Sequence, residues 1–137
     1  MKKFVTLFVA VLTLSSFTAH KDAFSIVGRW ETVTDGETFA LTFDKEGYAF
    51  IERGGNKMGG KEFEMGGEKG SLAYKVDYAK NPHELDLIMT RLSTGESNTM
   101  LKGIFKVQGE NEIKIIMNTE RPTVLEGDEA LVFTRKQ

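Results

Sequence analysis

The strongest constraint on this chain is a period of two. Phe39, Leu41 and Phe43 alternate with Thr38, Ala40 and Thr42, and Leu72, Tyr74, Val76 and Tyr78 enclose Lys75 and Asp77. Leu85, Leu87 and Met89 repeat the pattern, as do Ile113, Ile115 and Met117. Successive side chains of a strand point to opposite faces, so such alternation specifies half-buried strands. No 3.6-residue pattern follows residue 20. The spacing predicts eight strands, over residues 26–34, 38–44, 48–53, 71–79, 84–91, 99–108, 112–118 and 130–136. Asp35-Gly36, Asp44 to Gly47, Asn81-Pro82, Gly95 and Gly109-Glu110-Asn111 punctuate them as turns. The expected fold is all-β, an eight-stranded antiparallel up-and-down meander. Closing it into a barrel removes the exposed edges that an open meander carries.

One stretch interrupts the alternation. Residues 54–70 read GGNKMGGKEFEMGGEKG and hold seven glycines. That density opposes regular structure through backbone entropy. The stretch is expected to be a mobile hairpin loop, with at most a short ribbon at 61–65, acting as a flap over one barrel end.

The first residues have a different character. Lys2 and Lys3 precede an uncharged apolar run from Phe4 to Leu14, and small polar residues follow as far as Ala19, apart from Phe17. This is the layout of a secretory signal peptide. The run is too short for a permanent membrane span. Residues 1–19 are therefore expected to be a signal peptide and 20–137 one barrel domain, periplasmic or extracellular. Cleavage after Ala19 removes two lysines and no acid, taking the formal charge from −2 to −4. A mildly acidic domain without a basic run is a poor nucleic-acid binder, and it lacks the positive face that anionic membranes attract. With no Cys, the domain holds itself together by its core, which this length allows.

Catalytic and metal constellations do not stand out. Gly55 to Lys61 reads GNKMGGK, which fits part of a phosphate-binding loop. Glu62 replaces the hydroxyl that would hold magnesium, and no helix follows. His20 and His83 are the only histidines, too few for a triad or a multi-histidine site. Glu126, Asp128 and Glu129 fall short of a calcium ligand set. The reading is of no catalytic residue, no metal and no cofactor.

Arg135 is the exception on the core faces. It lies on the same face as Leu131 and Phe133, and an unpaired buried charge is costly. If the last strand pairs with the first, its guanidinium lies over Trp30. The remaining core-face residues include Phe39, Phe43, Phe50, Tyr74, Tyr78, Met89, Phe105 and Met117. In a barrel these are both core and ligand wall, with the two tyrosines as groups able to orient a ligand.

Gly28-x-Trp30 on the first strand, with Arg135 on the last, resembles the closing end of the lipocalin superfamily. Asn81-Pro82, Leu85-Asp86-Leu87, Gly103-Ile104-Phe105, Gly109-Glu110, Arg121-Pro122 and Leu131-x-Phe133-x-Arg135 follow the order of bacterial secreted lipocalin-like domains over residues 26–136. Two departures are the missing long helix late in the chain and the missing disulfide. The resemblance implies a structural closing role for Gly28, Trp30 and Arg135. It implies a non-enzymatic barrel that binds a small hydrophobic or amphipathic molecule. The rival reading is a filled barrel acting through its surface as an interaction or cell-envelope module, with a protein partner that the sequence does not name. A lipid-facing barrel fits poorly, because Lys75, Asp77, Glu84, Asp86, Lys102, Lys106 and Lys114 would meet hydrocarbon.

Overall fold

A computed structural model describes residues 23–137. The expected signal peptide and its cleavage site lie outside the described residues. The described chain forms nine strands and no helix. They are β1 (Gly28–Thr34), β2 (Glu37–Phe43), β3 (Ala49–Arg53), β4 (Asn56–Met65), β5 (Glu68–Asp77), β6 (His83–Arg91), β7 (Ser97–Gly109), β8 (Glu112–Asn118) and β9 (Leu131–Lys136). Each pairs antiparallel with the next, and β9 returns to β1 to close the barrel.

The strand count is nine, not eight. The additional strand is β4, together with the start of β5, and both lie in the glycine-rich stretch expected to be a loop. Gly54-Gly55 and Gly66-Gly67 are two-residue turns joining the pairs Arg53↔Asn56 and Met65↔Glu68. All four glycines have positive φ, as do Asp35 and Gly36 in the β1–β2 turn. Two consecutive left-handed residues make the hairpin turn whose twist matches that of strands. The glycines therefore terminate strands here and do not dissolve them, and the expected flap is absent.

Nine strands raise a problem of parity. An odd ring cannot be antiparallel at every joint unless one strand reverses direction. That strand is β4. Residues up to Gly59 pair with β3, and Phe63 to Met65 pair with β5, with a register shift between Gly60 and Phe63. Below the bend β3 and β5 meet directly, through the antiparallel bridge Tyr48↔Ala73 and the bond from the Tyr74 amide to the Gly47 carbonyl. β4 is thus a V-shaped wedge between them. Gly59 and Gly60 stand at its apex with φ of 118° and 88°, where side chains are rarely tolerated. A Cβ on Gly59 would collide with the Ala49 carbonyl, and one on Gly60 with the Phe50 ring.

With β4 reversed, the turns after β1, β3, β4 and β6 and the connection leaving β8 share one end of the barrel. The turns after β2, β5 and β7 share the other, with residues 23–27. This second end is closed. Ile26, Trp30, Phe43, Phe105, Ile113 and Phe133 are there or at mid-barrel, and each is at most 1% exposed. Burying such side chains contributes roughly 1.5–3 kcal/mol apiece relative to exposure.

The long connection between β8 and β9 lies on the outer wall. Arg121 donates to the Gly103 carbonyl at 3.0 Å and to Asp86 Oδ1 at 2.7 Å, with Glu84 at 3.6 Å. Pro122 then flanks Ile104, which is buried although its strand position points outward.

Candidate functional site

The closed end is built around Arg135. Trp30 and Arg135 are register partners, and the guanidinium carbon lies 4.5 Å from the indole centroid and 5.5 Å from that of Phe24. Its Nε donates to Asn111 Oδ1 at 3.1 Å, Nη1 to the carbonyls of Ser25 and Val27 at 2.7 and 2.9 Å, and Nη2 to that of Glu110 at 2.9 Å. Trp30 Nε1 donates to the Ile26 carbonyl at 2.8 Å. Gly28 leaves room for this, since a Cβ there would stand 2.9 Å from Arg135 Cδ. Residues 24–27 are thereby laid across the barrel end as a cap.

Four of the eight expected wall residues belong to this end. Phe43 and Tyr74 meet edge to face at 4.9 Å, while Phe105 and Tyr78 both contact Phe24, at 6.2 and 6.4 Å. The tyrosine hydroxyls hold the protein itself. Tyr74 Oη donates to the Asp44 carbonyl at 2.7 Å, and Tyr78 Oη accepts from the Ile26 amide at 3.1 Å. Burial, reinforced by Tyr78 and Asp44 nearby, raises the Tyr74 pKa above its ordinary value. Both groups fix turn and cap and do not project into a cavity.

Phe50 is on the opposite face from the one expected. Ala49 and Ile51 point inward on β3, so Phe50 points outward. It covers Gly60, and Lys57 Nζ lies 4.9 Å from its ring centroid. Tyr48 and Phe50 share a face as their spacing implies, but that face is the outer one.

The other end differs in kind. Its inner wall carries Phe39, Ile51, Phe63, Met100, Met117 and Leu131, all packed on the core yet only partly buried. Phe39 meets Phe133 edge to face at 5.6 Å. Met89 pairs with Leu72 and therefore also points inward, toward Gly70. Met117 lies over Gly103, where a Cβ would stand 2.6 Å from Met117 Cγ. Of the expected wall residues, Phe39, Met89 and Met117 thus gather at this open end. Ile51, Met58, Phe63, Met65, Met100 and Leu131 are additions. Phe63 and Met65 alternate within residues 54–70, and Gly-Gly pairs on either side mark two-residue hairpins. Together these are the signal that would have found them.

The wall is also low here. The β1–β9 ladder runs only from Arg29↔Lys136 to Glu31↔Thr134, and the β8–β9 ladder ends at Ile115↔Leu131. The β7–β8 ladder ends at Lys102↔Asn118, so Ser97, Asn98, Thr99 and Leu101 pair with β6 alone.

Two cavities open at this end. One of about 370 Å³ has Ile51 and Met58 as its apolar floor and Glu37, Arg53, Asn56 and Lys57 at its rim. The other, about 130 Å³, lies among Phe63, Met65, Met89 and Arg91. Arg53 is 3.5 Å from Glu37 and 3.7 Å from Asp35, exposed pairs that contribute little to stability. A larger groove of about 550 Å³ runs beside Phe24, Val107 and Glu110 at the closed end, but its cation, Arg135, is already engaged on every side. Among the described residues no three His, Cys, Asp or Glu side chains gather to hold a metal, and no helix is long and apolar enough to cross a membrane.

Comparison with protein-family models, with curated proteins and with solved structures gave no match.

Proposed function

We propose that this chain is an exported, non-enzymatic, lipocalin-like barrel that binds a small apolar or amphipathic molecule at its open end. One observation carries the reading: burial is graded along the barrel axis. Fully buried side chains are concentrated from the closed end to the middle, where Phe24, Tyr74 and Val76 are partly buried at the edge. At the far mouth Phe39, Ile51, Phe63, Met100, Met117 and Leu131 are all only partly buried. A barrel that needed only a core would gain by closing both ends. Apolar side chains left half in water cost free energy that a bound apolar molecule recovers. The 370 Å³ cavity is within the size range of small-molecule sites, with an apolar floor and a charged rim suited to an amphipathic ligand. The arrangement of Gly28, Trp30 and Arg135 supports the lipocalin-like assignment, and the charged-then-apolar leader supports export.

The filled centre favours a second reading, in which the barrel has no ligand and acts through its surface. Trp30, Leu41, Phe43, Leu72, Leu85, Leu87 and Phe105 leave the middle occupied. On the first reading a ligand is therefore bound shallowly, in the mouth. Native mass spectrometry of the protein from its own host is expected to show a co-purifying small molecule. With methyl-labelled methionine, an apolar probe should shift the signals of Met58, Met89, Met100 and Met117. The Trp30 indole signal at the closed end should stay in place. No adduct, together with unmoved methionine signals, would favour the filled-barrel reading.

A further inference from the structure

The methionines are placed with a strong bias. The chain has six, and the five after Met1 are all described. Met58 pairs with Ile51, Met65 lies two residues beyond inward-facing Phe63, and Met89 pairs with Leu72. Met100 and Met117 pack on the core directly. All five are on the inner wall near the open rim. The closed end and middle are built from Trp, Phe, Leu, Ile, Tyr and Val instead. Leucine would line a mouth equally well by volume, so the choice of methionine calls for a property leucine lacks. Flexibility is one such property, and a sulfur that accepts oxygen is the other.

We propose that this methionine ring is a modification site, where a peroxide or hypohalous oxidant converts thioethers to sulfoxides and switches off apolar binding at the mouth. The proposal rests on the open-end reading above. With hydrogen peroxide, the sulfur lone pair attacks one peroxide oxygen. An S–O bond forms, the O–O bond breaks, and the departing hydroxide takes the remaining proton to leave as water. Sulfur loses two electrons and the peroxide gains them. Met65 reacts first, because it is 52% exposed at the outermost rim. Met58 and Met89 line the two cavities and follow, and Met100 and Met117, packed on the core, come last. The product is a strong acceptor set in the apolar floor, while the donors Arg53, Asn56, Lys57 and Arg91 stand at the rims. An apolar ligand can therefore no longer cover that floor without stranding a polar atom. No cysteine competes for the oxidant.

The test uses the processed protein, limited hydrogen peroxide and peptide mass mapping, with an apolar fluorophore as the binding probe. Met65 should gain oxygen ahead of the other four. Probe affinity should fall by about tenfold, the effect of burying one unpaired acceptor. Reductases for the two sulfoxide epimers should restore it. Changing the five methionines to leucine should abolish the response, read as the ratio of treated to untreated affinity. Met65→Leu alone, at an exposed site, should shift first oxidation to Met58 or Met89. Equal oxidation of all five positions, or unchanged affinity after oxidation, would overturn the proposal. If untreated protein fails to bind the probe, the open-end reading falls and the switch with it, while the order of oxidation still shows whether the ring is graded by exposure.

Discussion

Arg135 is half-buried because each direction of its fork meets a partner: an amide oxygen, three carbonyls and two aromatic faces. Arg135→Ala removes the cation and leaves those acceptors short of donors, and should destabilise the fold by about 2–4 kcal/mol in denaturant titration. Lys136→Ala, one residue on and exposed, should change stability by less than about 0.5 kcal/mol. Combined with Trp30→Phe, the Arg135 change should show a coupling of roughly 0.5–3 kcal/mol, and a coupling of zero would mean that ring and cation are energetically independent. Tyr74 gives a pH-dependent counterpart. Its pKa is raised in the folded state by burial, with Tyr78 and Asp44 adding to the effect, so the folded form keeps its proton after the unfolded chain has begun to lose it. Below about pH 10 both states are protonated and this group adds no pH dependence. As pH climbs past that value the unfolded state ionises first and stability falls. Tyr74→Phe should cost about 1 kcal/mol at neutral pH, from the lost bond to Asp44, and should flatten the alkaline fall. An alkaline profile identical in both proteins would count against the raised pKa.

β4 shows where sequence reasoning succeeded and where it stopped. All eight predicted segments became strands, and the pairing of the last with the first followed from one charged residue on a core face. The stretch 54–70 did not, because glycine entropy is a local argument and the ladders that offset it are not local. Its twelve-residue spacing of Gly-Gly pairs was legible as two hairpin turns; the reversal at Gly59-Gly60 was not, since it answers a parity requirement of the whole ring. Phe50 failed for a related reason. A period of two assigns residues to faces but does not say which face is inside, and Ala49 looks a poorer core residue than Phe50 until Gly60 is seen beneath the ring. The same missed strand hid a third of the mouth, since Met58, Phe63 and Met65 are on it. Glycine substitutions separate apex from turn. Gly59→Ala and Gly60→Ala meet both a disfavoured φ and a collision, and each should cost more than about 2 kcal/mol. Gly66→Ala has open space around it and should cost roughly 1 kcal/mol, from its left-handed backbone alone. Equal effects at the two sites, measured as shifts in denaturation midpoint, would argue against the V-shaped strand.

At the scale of the whole molecule, closure and opening are two halves of one arrangement. The cap from Phe24 to Val27 is pinned by Arg135 and Tyr78, and the strands beneath it are paired on both sides. Toward the mouth the ladders give out between β7 and β1, so the barrel is held there by fewer backbone bonds and less buried apolar surface. Those are the two quantities that set local opening free energy. Hydrogen exchange under native conditions should therefore divide the chain by height rather than by strand. Leu85, Leu87 and Phe105 have partners on both flanks and should exchange only with global unfolding. Val33 and Thr34 of β1, Asn98 and Thr99 of β7, and Met117 of β8 have a partner on one flank, and should exchange at least about tenfold faster, a gap of about 1.4 kcal/mol in opening free energy. The division matters because a mouth that opens without disturbing the cap can admit a ligand at small cost, whereas one welded to the core cannot. An apolar ligand bound there should slow the mouth amides selectively and leave the closed half unchanged. If every strand instead exchanges at one rate along its full length, the barrel opens only as a unit, and a site that depends on a loose rim is excluded.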